Sequence, residues 1–127
     1  MSKVNLNAAF SKISAPWTPH IIGELNGQEV KLAKANESFV WHRHKDIDEL
    51  FLVVQGSLEM HLKDASGKID VLTLEAGELF IVPRGVEHKP VAKEGGAHLL
   101  LFEPSGVRNT GDVRSEHTIE AKDLKHL

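Results

Sequence analysis

Four residues of this chain have the types and the order to hold a cation: His42, His44, Glu49 and His88. The first two lie in "WHRHKDIDELFLVVQG", residues 41–56, one residue apart and just ahead of an apolar run. On an extended strand, two positions span about 6.6 Å and put both side chains on one face. Imidazoles so placed either decorate an exposed turn or face inward together and converge on one metal ion. Glu49 follows a tight loop, "KDID", that can bring it back beside the pair. Its carboxylate would add the negative charge and hard oxygen that neutral imidazoles lack. His88 is the candidate fourth donor, because Pro83 and Gly85 in "PRGVEH" demand a sharp turn just before it. The other histidines, at 20, 61, 98, 117 and 126, have no such partners and read as solvent-facing or locally bonded. Asp46 and Asp48 read as loop-solvating acids, since an acid one residue out of register faces away from the pair.

These residues need strands to position them. Turn signals recur about every ten residues: Asn26-Gly27, Gln55-Gly56-Ser57, Asp64–Gly67, Ala76-Gly77, Pro83–Gly85 and Gly95-Gly96. Between them lie "PHIIGEL", "QEVKLAK", "SFVWHRH", "ELFLVVQ", "SLEMHLK", "KIDVLTL", "ELFIVP" and "AHLLLFE", short and rich in Val, Ile, Leu and Phe. Strands of this length and spacing make an antiparallel sandwich or barrel. Asn26-Gly27 suits a type I′ hairpin, and Gly56 and Gly67 suit the next two. Alternation puts Val40, His42 and His44 on one face of their strand, with Phe39, Trp41 and Arg43 on the other. Both faces of "ELFLVVQ" are apolar, so one lines the interior and the other needs a cover. A second subunit, making a homodimer, or the N-terminal segment acting as a strand would supply it. From Pro104 onward the chain turns polar and reads as an extended tail, residues 105–127. Its end could form one short helix anchored by Ile119, Leu124 and Leu127.

Composition narrows the class. With 127 residues, 41% hydrophobic and 26% charged, the chain is expected to be one domain with a barrel core at about residues 20–104. A net charge of −3 without a basic cluster argues against nucleic acid. No apolar run is long enough to span a bilayer as a helix, and the opening lacks the apolar core of a secretory signal. A cytoplasmic location is the expectation. With no cysteine, disulfides, thiolate metal sites and a cysteine nucleophile are excluded.

The ordered spacing says more than any single pair. His42, one residue, His44, four residues, Glu49, six residues and Gly56 resemble the first motif of the cupin family. Gly77, five residues, Pro83, one residue, Gly85, two residues and His88 resemble the second. Two positions depart from that pattern. Asn36 stands where the first motif usually opens with glycine, and Asn can adopt positive φ at small cost. Ala92 stands where the second usually closes with asparagine, a side chain that supports structure rather than metal. The resemblance implies an all-β, double-stranded β-helix (a jelly-roll barrel), often dimeric, with a metal held by His42, His44, Glu49 and His88. Small cupins of this kind are often labelled mannose-6-phosphate isomerase-like, which describes the barrel and not a reaction.

Three nitrogens and one carboxylate oxygen suit Fe(II), Mn(II), Ni(II), Co(II) or Zn(II) alike. In a six-coordinate shell two positions would stay open for water, substrate or dioxygen. A redox-active metal would support an oxygenase, and a redox-silent one an isomerase or lyase. The intact ligand set favours a metalloenzyme acting on a small organic molecule over a non-catalytic cupin whose metal or ligand is structural or regulatory. The expected interior lining is Val40, Phe51, Val53, Phe80 or Ile81, and Leu99 or Leu101. Leu58, Met60 and Leu62 are the inward set of their strand, which leaves His61 outside and without a role. Arg84 reads as a solvated turn residue rather than an anion contact.

Overall fold

The computed structural model of the protein describes residues 2–127. Asn26 and Gly27 both take positive φ, 52° and 81°, the type I′ geometry expected of that pair. They join β1 (His20–Leu25) to β2 (Gln28–Ala35) as an antiparallel hairpin. Further on, β3 (Glu49–Lys63) and β4 (Ile69–Glu75) form a second hairpin. Its turn is held by the Asp64 carboxylate, which accepts from the Ser66 and Lys68 backbone N–H groups. β5 (Leu79–Val82), β6 (Glu87–Pro104) and a two-residue β7 (Lys125–His126) complete the strands. The hydrogen-bonded order is β4-β3-β6-β2-β1-β7, with β5 continuing along the β4 edge of β3.

The sheet does not close on itself by strand pairing. It curls, because inward side chains of strands far apart in that order share one core: Ala33 of β2, Val53 and Met60 of β3, Leu74 of β4 and Leu99 of β6. This is the all-β jelly roll. Within β3 the register against β6 shifts on both sides of Gln55-Gly56. Gly56 has φ +85°, and a Cβ there would overlap the Gly96 carbonyl oxygen. Gly56 is therefore a bulge within one long strand and not a hairpin turn, so "ELFLVVQ" and "SLEMHLK" are a single β3.

Two further expectations are corrected. "SFVWHRH" does not run as a ladder strand; it touches β6 through isolated bridges, Ser38 with Val91 and His42 with His88. Glu37, at φ 60°, breaks the extended path just before it, and alternation fails at Phe39 while holding from Val40 to His44. Phe39 consequently packs into the core beside His42 instead of facing out. Asn36 is not the positive-φ residue; its neighbour Glu37 is. Trp41 does face outward, with the Lys63 ammonium 4.2 Å from its ring centroid. The first half of β6, "EHKPVAK", is a strand that Pro90 and the lysines disguise. Its His88, Pro90 and Ala92 alternate inward.

Part of the outer face of the sheet is covered by a helix, not a strand. Asn5 caps α1 (Leu6–Phe10), its side chain accepting from Ala8 N at 3.0 Å. Phe10 and Ile13 then pack on Leu32, Val54 and Leu100, and Phe10 stacks on His98 with ring centroids 4.4 Å apart. The tail is likewise bound to the barrel. Thr110 is fully buried, hydrogen-bonding Val113 and Thr118. The expected terminal helix is a single 3-10 turn, Ala121–Asp123, after which β7 pairs in parallel with β1. Leu127 is exposed and anchors nothing by burial.

Phe10 is 1% exposed, so Phe10→Ala should cost about 3–5 kcal/mol. Urea unfolding should show this as a lower midpoint with an unchanged slope. An unchanged midpoint would mean that α1 is not the cover described.

Candidate metal centre

The centre is assembled by backbone pairing. His42 N donates to His88 O at 3.0 Å and His88 N to His42 O at 2.8 Å. Two residues that exchange both bonds project their side chains to the same side, and the rings lie 4.2 Å apart between centroids. His44 comes along because Gly85 N donates to its carbonyl at 2.8 Å. Gly85 is the turn glycine at φ +79°. Glu49 opens β3 opposite Val82 of β5, which returns its carboxylate to the rings as the short loop suggested. Its Oε1 lies 3.2 Å from His44 Nε2 and 3.6 Å from His88 Nε2. One potential ligand atom from each of the four residues falls within 4.8 Å of the others, and all four side chains are buried. The structure thus brings together His42, His44, Glu49 and His88.

The rings are turned for coordination. His42 Nδ1 lies 2.9 Å from Val40 O and His88 Nδ1 2.9 Å from Val86 O. A backbone carbonyl there fixes the proton on Nδ1 and leaves the Nε2 lone pair for a metal. His44 Nε2, His88 Nε2 and Glu49 Oε1 are buried with no hydrogen-bond partner. The close Nε2–Oε1 approaches do not align as hydrogen bonds, so the atoms are orphaned toward one another. Orphaned buried nitrogens and a carboxylate oxygen facing a common point fit a divalent transition metal.

Electrostatics agree with a neutral imidazole donor at His42. Burial, then the neighbouring His88, pushes His42 down to about 3. Burial pushes the Glu49 carboxyl up, but the His44 and His88 nitrogens outweigh it and hold it well below the usual carboxylate range. The partner outside the cluster is Glu103, raised well above that range first by burial and then by the Glu49 charge.

His42 and Glu49 form part of the wall of a cavity of ≈ 30 Å³, whose lining also includes Trp17, Phe39, Phe51 and Glu103. That is room for about two waters. Val53, Leu58, Met60, Leu99 and Leu101 are buried in the core, as the lining expected. The open choice at β5 resolves with Phe80 packed on the core and Ile81 outside. His61 sits on the outer surface against Glu59. Arg84 is engaged by Asp48, which accepts from its backbone N at 2.8 Å and its Nε at 3.3 Å. This contact ties the "KDID" loop to the second-motif turn and holds the Asp48 carboxyl below its ordinary value.

Sequence reasoning missed three features. Lys31, Glu29 and Glu103 are buried on the inner face. Alternation puts Glu29 and Lys31 on one face of β2, but two charged residues on a strand are an ordinary mark of a solvent face. Trp17 reaches the cavity from the N-terminal segment, its Nε1 donating to Asn36 O at 2.8 Å. The tail braces the ligand segment: Asp112 N donates to Arg43 O at 3.1 Å, and Asp112 Oδ1 accepts from Arg43 N at 3.1 Å. At Gly111 a Cβ would overlap that same Arg43 carbonyl oxygen and come within 3.3 Å of His42 Cδ2.

With this geometry in hand, comparison with known proteins is direct. The cupin domain family (Cupin_2) matches residues 28–103. The uncharacterized protein YdbB of Bacillus subtilis (strain 168) is 33% identical over 90 residues, 70% of this chain and 76% of that one. A cupin-2 domain protein of Shewanella frigidimarina, solved by crystallography, is 42% identical with a TM-score of 0.73, covering 80% of this chain and 93% of its own. A hydroquinone 1,2-dioxygenase solved with Cd2+ and 4-hydroxybenzonitrile shares the fold alone. It is 19% identical with a TM-score of 0.65, over 77% of this chain and 70% of that one. No helix among the described residues is long and apolar enough to cross a membrane. A matched domain over most of the barrel and a buried His/Glu cluster at the motif positions lead to one conclusion: the chain belongs to the cupin family.

Proposed function

We propose that this cupin is a mononuclear metalloenzyme acting on a small organic molecule by oxygenase or isomerase chemistry. The observation that carries the reading is the convergence of His42, His44, Glu49 and His88 on one point bordering the cavity. Four protein donors leave a metal that prefers six ligands with room for a substrate atom. A bound redox-active metal would supply one-electron and dioxygen chemistry there, whereas a redox-silent one would polarise a carbonyl. The chain's own residues do the rest. Phe39, Phe51 and Leu101 exclude water from the cavity wall, and the Val40 and Val86 carbonyls keep His42 and His88 in the ligating tautomer. A second reading, a non-catalytic cupin whose metal stabilises the barrel or signals to a partner, is favoured by the small cavity volume alone.

The protein acts as a homodimer in the cytoplasm on this reading. Leu50 and Leu52 of β3 are only half-buried and lie opposite Ile81 and Leu79 of β5, which are 50% and 55% exposed. Phe102 and Val30 extend the same face beyond the reach of α1. A patch built of apolar side chains, with no charge to set against an unlike partner, suits a second copy of itself across a two-fold axis.

Two outcomes are expected. Protein purified without imidazole should carry near-stoichiometric metal by elemental analysis. His44→Ala should lose most of it while far-UV circular dichroism stays unchanged; unaltered metal content would move the site elsewhere. Iron accompanied by oxygen uptake with candidate diols would select the oxygenase, and an adventitious mixture of metals would select the non-catalytic reading. For assembly, Leu79→Lys with Ile81→Lys should convert a dimer into a folded monomer in sedimentation. A wild-type monomer at micromolar concentration would retire the dimer.

A further inference from the structure

Beside Glu49, close enough to feel its charge, lies a further buried polar group that neither belongs to the four donors nor faces solvent. Lys31 of β2 and Glu103 of β6 project inward from neighbouring strands and are 1% and 2% exposed. Lys31 Nζ donates to Glu103 Oε1 at 2.8 Å, and Glu29 stands 3.5 Å from the same ammonium. This occupies one oxygen of Glu103. The other, Oε2, is buried with no partner, and the Glu103 side chain lines the same cavity as His42 and Glu49. A buried ion pair is rarely a net stabiliser, and an orphaned carboxylate oxygen makes it less so. Folding alone does not account for this arrangement.

The other polar side chains of the cavity wall are already engaged. Trp17 Nε1 donates to Asn36 O. Asn109 Nδ2 donates to His117 O, and its Oδ1 accepts from Ile119 N. On the sides contributed by Ala33, Phe51, Leu99 and Leu101 there is no hydrogen-bonding group. Any polar function on a molecule held at the metal, other than the one bound there, has Glu103 to meet.

Resting on the reading of the centre as a metal site that admits a small molecule, we infer that Glu103, held in place by Lys31, hydrogen-bonds a hydroxyl of the bound molecule. The cavity thereby selects hydroxyl-bearing small molecules over their deoxy counterparts. A hydroxyl both donates and accepts, so it satisfies a carboxyl in either protonation state. The rival role for Glu103, a brace that merely holds the ligand Glu49, would act through metal affinity and not through ligand choice.

The test uses the Co(II)-loaded protein, whose visible spectrum reports ligands entering the metal shell, titrated with glycolate and with acetate. Wild-type protein should prefer glycolate, and Glu103→Leu should reduce the glycolate-to-acetate affinity ratio by about tenfold, the worth of one buried hydrogen bond. Chelation through the glycolate hydroxyl is common to both proteins and cancels in that comparison. Lys31 retains Glu29 in the variant, and Co(II) stoichiometry should be unchanged. Glu103→Met, unbranched like Glu, gives the same reading should the leucine variant not fold. An equal affinity of wild type for the two anions, or a ratio that survives both substitutions, overturns the inference. Loss of Co(II) from the variants also overturns it, in favour of the brace. Failure of the wild type to take up Co(II) at all is a different result, seen before any ratio is read, and it sinks the metal-centre reading together with this one.

Discussion

Three buried polar atoms without protein partners, His44 Nε2, His88 Nε2 and Glu49 Oε1, set the constraint that the rest of the chain answers to. Each such atom left unsatisfied costs about 1–3 kcal/mol, so the bare cluster opposes folding and a bound metal ion would relieve it. The cost is tolerable only because the donors are held by backbone and not by each other. The reciprocal His42–His88 bonds, the Gly85–His44 bond and the pairing of Glu49 with Val82 fix the four Cα positions before any cation arrives. That is preorganisation in the sense that matters for metal sites: the side chains have little left to choose.

How much of this was legible in the sequence depends on which property carried the signal. The four ligands could be read because residue type and spacing are local. The hairpin at Asn26-Gly27 could be read because positive φ is a demand on residue type. The path of residues 38–44 could not. Periodicity assumes an extended strand, and Glu37 at φ 60° ends that assumption one residue before the segment starts; Phe39 then turns inward while Trp41 stays outside. The inner wall of β2 was hidden for a different reason. Val30 and Leu32 are the apolar alternates and Glu29 and Lys31 the charged ones, yet α1 covers Leu32 and leaves the charges to the interior. A five-residue helix such as α1 is too short for hydrophobic periodicity to announce it.

The two faces of β3 show the same sequence feature meeting two fates. Phe51 and Val53 enter the barrel core, and Val54 goes under α1. Leu50 and Leu52 lie beyond the end of that short helix, beside Leu79 and Ile81. The N-terminal segment is therefore a partial lid on the outer sheet, and the apolar area it leaves bare follows from its length. Trp41 illustrates the opposite solution, an outward aromatic ring shielded by the aliphatic stems and charges of Lys63 and Lys89.

The tail carries the last step. Hydropathy marks residues 105–127 as an extended polar tail, but its contacts are made by polar and small groups that hydropathy does not weigh. Thr110 is fully buried by hydrogen bonds to its own loop, which places Gly111 against the Arg43 carbonyl with no space for a side chain. Asp112 then closes a two-way backbone and side-chain contact with Arg43, the residue between His42 and His44. A segment that is not itself a ladder strand needs support on both sides, and it gets β6 on one and the tail on the other. The polar tail is thus part of the scaffold of the metal centre, coupled to it through the Arg43 main chain by Gly111 and Asp112.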